Sequence, residues 1–339
     1  MTIIFSGLAL LAITLAAFSL FSTKAPKGSL AMSGLANAAV VTFLVEAIHK
    51  YISGDLLALT FLGETGAAVG GMGGVAAAIM IPVTMGVNPV LATAAGVAVG
   101  GYGILPGFFA GYVVGHLAPE MEKKLPEGLN IIVCVLALAP LSRFIAFAVD
   151  PAVTMILGYI GETITAATEQ SPLLMGFLLG GIMKMICTSP LSSMALTAML
   201  GLTGLPMGIA AIACFGGSFT NGLIFYKLKL GDRSNIIAVM LEPLTQAHII
   251  TRHPVPIYVS NLFGGGLAGM GAAALGIINN APGTASPIPG MLAPFAFNSP
   301  MTVLAALGIA AVGGSLAGYV CGCIFARIYA AKKAAEISA

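Results

Sequence analysis

The sequence predicts an all-α integral membrane protein with about nine or ten membrane segments, some of them re-entrant hairpins or broken helices. Three observations carry this. Charged residues are 8% of the 339, whereas a soluble domain needs about 25% to solvate its surface. Hydrophobic residues make up 58%, and the mean hydropathy is +1.02. The apolar residues also come in runs, several long enough to cross about 30 Å of hydrocarbon at about 1.5 Å per residue. This balance excludes a soluble enzyme, a disordered chain and a disulfide-stapled secreted domain. The net charge of +2 offers no basic face to nucleic acid.

Charges and prolines divide the runs. Residues 2–21 read as a first span rather than a signal peptide, because no charge precedes them and no small-residue cleavage site follows. Lys24 and Lys27 close that span, and 29–48 form the second, ended by His49, Lys50 and Asp55. The Gly/Ala-rich stretch 66–85 is the third, and 90–114 is a long run interrupted by Pro106. The loop 116–128 carries Glu120, Glu122, Lys123, Lys124 and Glu127. Residues 129–149 make the next span, with Arg143 inside it, paired with an acid such as Glu64 or Asp150. Asp150-Pro151 starts a separate, weaker segment to 167. Beyond Pro172 the apolar pieces shorten: 173–186, 191–202, 207–225, 236–244, 257–277 and 301–329. The shortest cannot cross the hydrocarbon. Non-helical backbone at that depth survives only where protein or a watery cavity covers it. Lys/Arg bias places Lys24/Lys27, Lys227/Lys229/Arg233 and Arg327/Lys332/Lys333 in the cytoplasm and the acidic 116–128 loop on the other side.

Three helix starts look alike: Asn88-Pro89, Ser189-Pro190 and Ser299-Pro300, the last preceded by Asn298. Proline suits the first helical turn, and the polar residue before it caps free N–H groups. Within a membrane, such an end presents N–H donors and a positive dipole to a polar solute. The alternative is an ordinary helix start at the lipid interface. Ser189 and Ser192, flanked by apolar sequence on both sides, are the strongest of these positions.

Ionisable residues in apolar runs mark function by default. Here they are Glu46, Glu64, Arg143, Glu162, Lys184, Glu242, His248 and His253. Lys184 is read either as a site residue or as a side chain reaching to the interface. The stretch 241–254 is densest, with Glu242, Gln246, His248 and His253; the alternative is a cytoplasmic loop with a solvated charge run. A carboxylate accepts two hydroxyls, and imidazole both donates and accepts. Asn88, Ser189, Ser192, Glu242, Gln246, His248, His253 and Asn298 are therefore the candidate solute-binding residues. Five cysteines sit in apolar runs without metal spacing, and no nucleophile elbow, Walker loop or dinucleotide fingerprint occurs. No catalytic residue, metal or cofactor is expected.

The segment from Gln170-Ser-Pro-Leu-Leu-Met-Gly176 through Thr188-Ser-Pro-Leu-Ser-Ser193 to Gly201-Leu-Thr-Gly-Leu-Pro-Met-Gly208 resembles the membrane component (IIC) of the bacterial phosphotransferase system, within the branch that includes PfoR-type regulators. The resemblance implies a homodimeric, multi-pass permease in the bacterial cytoplasmic (inner) membrane. It would carry a small polar solute, a sugar foremost, that separate IIA and IIB proteins phosphorylate. In the wider superfamily a Glu-Pro motif and a His bind the sugar. Glu242-Pro243 matches the Glu-Pro pair, whereas Met240-Leu241 departs from the small and hydroxyl residues before it. One transport domain is expected over 1–339, with N-terminal spans to 60, a IIC-like core at 61–300, a last span with a cytoplasmic tail from 301, and no fused IIA or IIB. A regulator or sensor on the same fold, and an ion-coupled secondary transporter, are the alternatives.

Overall fold

The computed structural model describes residues 20–126, 128–189 and 193–338, with 6, 9, 13 and 16–18 in the first run; for 56, 195, 247, 248 and 332–338 only the backbone is described. Among the described residues every regular element is helical. Four helices are long and apolar enough to cross a membrane: Gly28–Asp55, Asn130–Gln170, Gly204–Leu228 and Pro300–Ala331. A fifth span arises if the pair Thr60–Gly70 and Gly73–Thr84, bent by 54°, is taken as one. The remaining helices are shorter. The chain forms two compact units, one of Phe5–Ile164 with Met194–Leu202, the other of Thr165–Ser193 with Thr203–Ala339.

In the N-terminal unit, α1 (Gly28–Ala39) runs on through π-helical turns to Leu56. Then follow α2 (Thr60–Gly70), α3 (Gly73–Thr84), α4 (Pro89–Val97), α5 (Ile104–Lys124) and α6 (Asn130–Gln170), which continues into the other unit. The run 90–114 is not one span. Asn88 caps α4 by accepting the Val90 N–H at 2.9 Å. The chain turns through Gly101, whose φ of +90° suits glycine, and Pro106 lies in the first turn of α5, where proline costs little. The two segments read above over 129–167 lie, from Asn130 on, in the single 41-residue α6. Asp150-Pro151 does not divide it, because a neighbouring helix or a tilted N–H can absorb a proline inside a membrane helix.

One expectation is corrected in this unit. Among the described residues Arg143 pairs with no acid. It donates to the carbonyls of Ala98 (2.8 Å) and Gly100 (3.3 Å) and lies over the Tyr102 ring at 5.3 Å. A guanidinium at the carbonyl end of α4 is held by the helix dipole and needs no carboxylate. Tyr112 donates to the Pro26 carbonyl at 2.9 Å, and His116 Nε2 lies 3.2 Å from the same oxygen. Pro26, between Lys24 and Lys27 in sequence, thus lies against the middle of α5.

The C-terminal unit contains α7 (Pro172–Thr188), the start of α8 (Ser193–Met199), α9 (Gly204–Leu228), α10 (Arg233–Leu241), a 3₁₀ turn at Pro243–Gln246, α11 (Ala247–Ile250), α12 (Pro254–Ala274), α13 (Pro287–Leu292) and α14 (Pro300–Ser338). Helix α9 is its centre: 83% of its most apolar window is buried. Around it α7, α12 and α14 pack on glycine. A Cβ on Gly180 of α7 would stand 2.6 Å from the Gly265 carbonyl of α12, and one on Gly216 of α9 would stand 2.8 Å from the Ala310 carbonyl of α14. Lipid is as apolar as leucine, so close backbone packing rather than hydrophobicity holds such helices together.

Candidate functional site

Helix α7 ends at Thr188 because Ser189, ahead of Pro190, is extended (φ −88°, ψ 168°). The last turns of α7 carry Lys184, Cys187 and Thr188 into the interior. Lys184 is 0% exposed, which removes the reading that it reaches to an interface. Its methylenes lie between Gly217 of α9 and Gly265 of α12; a Cβ on either glycine would collide with them. Its ammonium donates to the Cys214 carbonyl at 3.2 Å. The ion pairs among the described residues are Lys50–Glu46 and Lys123–Glu120, so no described carboxylate lies within 4.0 Å of Lys184. The Cys187 and Cys214 thiols are within hydrogen-bonding reach of each other and of Ser193, whose hydroxyl donates to the Ala285 carbonyl at 2.5 Å.

Glu242 enters from the end of α10, in extended backbone (φ −146°, ψ 97°). Its carboxylate accepts from the Leu244 N–H at 3.4 Å and the Ser286 hydroxyl at 3.5 Å. It lies outside the spanning helices. Burial pushes its carboxyl above the ordinary value of 4.5, against the opposing pull of the Leu244 N–H, the Lys184 charge and the Ser286 hydroxyl. Lys184 and Glu242 therefore share one electrostatic environment without touching.

One turn beyond Lys184, Thr188 donates to the Lys184 carbonyl (2.9 Å) and accepts from the Asn261 amide (3.1 Å). The same Asn261 amide donates to Asn221 Oδ1 at 2.8 Å. Asn221 Nδ2 and Asn261 Oδ1 have no hydrogen-bond partner, although these residues are 1% and 0% exposed. Buried amide poles are nearly always satisfied, so two orphans facing one cluster require a reason.

The sequence-predicted residues separate. Glu242 belongs to this cluster, and Ser189 ends the helix that supplies Lys184, its hydroxyl donating to the Ile186 carbonyl at 2.8 Å. Gln246 is buried two positions after Leu244 but is engaged by Asn235 (2.8 Å) and Thr245 (3.2 Å). His253 stands before α12 with its ring 6.4 Å from that of Tyr329. Asn298 binds the Ile278 N–H, the Ile278 carbonyl and the Pro294 carbonyl. Asn88 caps α4 in the other unit. Ser192 and the His248 side chain lie outside the described residues. Sequence reasoning missed Asn221, Asn261, Ser193 and Ser286. Their signal was present: Asn221 and Asn261 are uncharged amides inside apolar helices, as costly to bury unsatisfied as many charges.

The C-terminal unit is thus an apolar bundle with a buried, partly unsatisfied polar cluster beside a helix break. No group of three metal-ligating side chains occurs among the described residues. Compared with known families, residues 29–337 match the model of the phosphotransferase system EIIC family. The chain belongs to that family. EIIC proteins are the membrane permease components of the phosphotransferase system, and this chain is one of them by a match that covers nearly its whole length. The match is to the EIIC family as a whole. No curated protein and no solved structure matches the chain.

Proposed function

We propose that this EIIC protein carries a sugar or related small polar solute across the bacterial cytoplasmic membrane, as a homodimer, and that separate IIA and IIB proteins phosphorylate the solute. The observation that carries this reading is the polar cluster of Lys184, Glu242, Asn221 and Asn261. It sits within glycine-packed apolar helices beside the break that ends α7. Desolvated polar groups in such a place are retained where they exchange partners with a passing solute. Glu242 accepts solute hydroxyls, and Ser189 adds a hydroxyl at the helix break.

Thermal unfolding of the purified protein in detergent against a panel of monosaccharides, alditols and sugar acids tests this. A ligand at a hundred times its dissociation constant stabilises the folded state by about 2.7 kcal/mol. A stabilising solute that Glu242→Gln no longer binds supports the reading. A solute bound equally well by Glu242→Gln removes Glu242 from the site.

A further inference from the structure

We infer that the solute is an acid, a polyhydroxylated carboxylate rather than a neutral sugar, and that Lys184 takes its carboxylate. This rests on the permease reading above. An ammonium carries three N–H donors and one full charge. At 0% exposure, Lys184 has one acceptor among the described residues, the neutral Cys214 carbonyl at 3.2 Å, and no described carboxylate within 4.0 Å. Buried charges are as a rule paired. Glu242 is a described carboxylate in electrostatic reach, yet it makes no ion pair with Lys184. Lys184 is also confined. Gly217 and Gly265, on two different helices, close on its methylenes, so the head group stays where α9 and α12 put it.

A neutral sugar would supply acceptors but leave the charge uncompensated. A solute carboxylate supplies both, and it leaves Glu242 to accept the solute's hydroxyls. Asn261 reaches Thr188, one helical turn along α7 from Lys184, and Asn221 is joined to it; Asn221 Nδ2 and Asn261 Oδ1 stay unpartnered. One is a donor and the other an acceptor, the two roles that a solute hydroxyl fills. A lone buried lysine would not distinguish a ligand site from a structural strut. Two further unpartnered atoms on the neighbouring helices do, because a strut leaves nothing unsatisfied around it.

The test uses full-length protein in detergent at constant ionic strength. Sodium D-glucuronate and sodium D-gluconate are titrated against D-glucose and sorbitol, in wild type and in Lys184→Met. The acids are expected to raise the melting temperature of the wild type and the neutral solutes not to. Lys184→Met should weaken acid binding at least about thirtyfold, the lower end for removing one partner of a buried charge pair. Glucose or sorbitol binding as well as the acids, or acid binding unchanged in Lys184→Met, overturns the inference and leaves the permease reading standing. If none of these solutes binds and none is exchanged by the reconstituted protein, the permease reading falls, and this inference with it. Should Lys184→Met fail to fold, the acid-against-neutral comparison in the wild type decides alone.

Discussion

Gly180 sits one turn before Lys184 on α7, and its replacement by alanine tests whether glycine contacts set the geometry of the site. The added Cβ would stand 2.6 Å from the Gly265 carbonyl oxygen, 3.0 Å from Gly269 Cα and 3.2 Å from Ala213 Cβ. Two of these are backbone atoms of α12, so no side-chain rotation relieves them. Ordinary contact begins near 3.4 Å, so α12 must retreat by roughly 0.8 Å. Overpacking of this kind costs about 1–3 kcal/mol, against about 0.5–1 kcal/mol that alanine gains over glycine within a helix. The net expectation is a loss of about 1–2 kcal/mol and a fall of a few degrees in melting temperature. Gly308 of α14 is the control: a Cβ there meets nothing within 4 Å. The same substitution at Gly308 should therefore be neutral or slightly stabilising, by up to about 1 kcal/mol. Differential scanning fluorimetry of the two variants in one detergent compares them directly. Equal shifts of the same sign would refute the argument that close α7–α12 backbone contact holds the unit together.

Other outcomes follow from the same geometry. Lys184→Met removes a buried charge while keeping most of the volume, so the ligand-free protein should melt no lower than the wild type and be more stable by up to about 4 kcal/mol, read by thermal unfolding. Asn261→Ala leaves the Asn221 carbonyl pole unsatisfied and should cost about 1–3 kcal/mol, read by chemical or thermal unfolding. Glu242 is raised above 4.5 in the folded state, so the folded protein holds that proton more tightly than the unfolded chain. The stability this contributes is present in full below about 4.5 and is lost as pH rises through the raised value. Melting temperature measured from pH 4 to 8 should therefore fall more in wild type than in Glu242→Gln over that window, and parallel profiles would show that Glu242 does not titrate there. Arg143→Leu withdraws the cation from the carbonyl end of α4 and should destabilise the N-terminal unit by about 1 kcal/mol without changing solute affinity.

The membrane class and most helices were legible because composition and run length depend on each residue's transfer to lipid, which no partner alters. The helices Pro172–Thr188, Gly204–Leu228 and Pro254–Ala274 correspond to expected runs. The turn at Ala98–Gly103 and the continuity of α6 through Pro151 were not legible, since tertiary neighbours decide whether a glycine pair bends the chain and whether a proline breaks it. The same limit explains the site. Glu242 and Lys184 stood out as ionisable residues in apolar sequence. That Arg143 binds carbonyls rather than an acid, and that Asn298 braces its own loop, depends on which segments meet in space. Asn221 and Asn261 come from helices 40 positions apart in sequence, and nothing local announces their contact.

Counterflow in proteoliposomes tests the central claim most directly. Vesicles loaded with an unlabelled solute identified by thermal shift are diluted into the labelled form, and internal label is followed over time. A permease is predicted to accumulate label transiently above the equilibrium level, abolished in Glu242→Gln. Tight binding of the solute with no label entering wild-type vesicles would contradict the permease account and leave a ligand sensor built on the same fold.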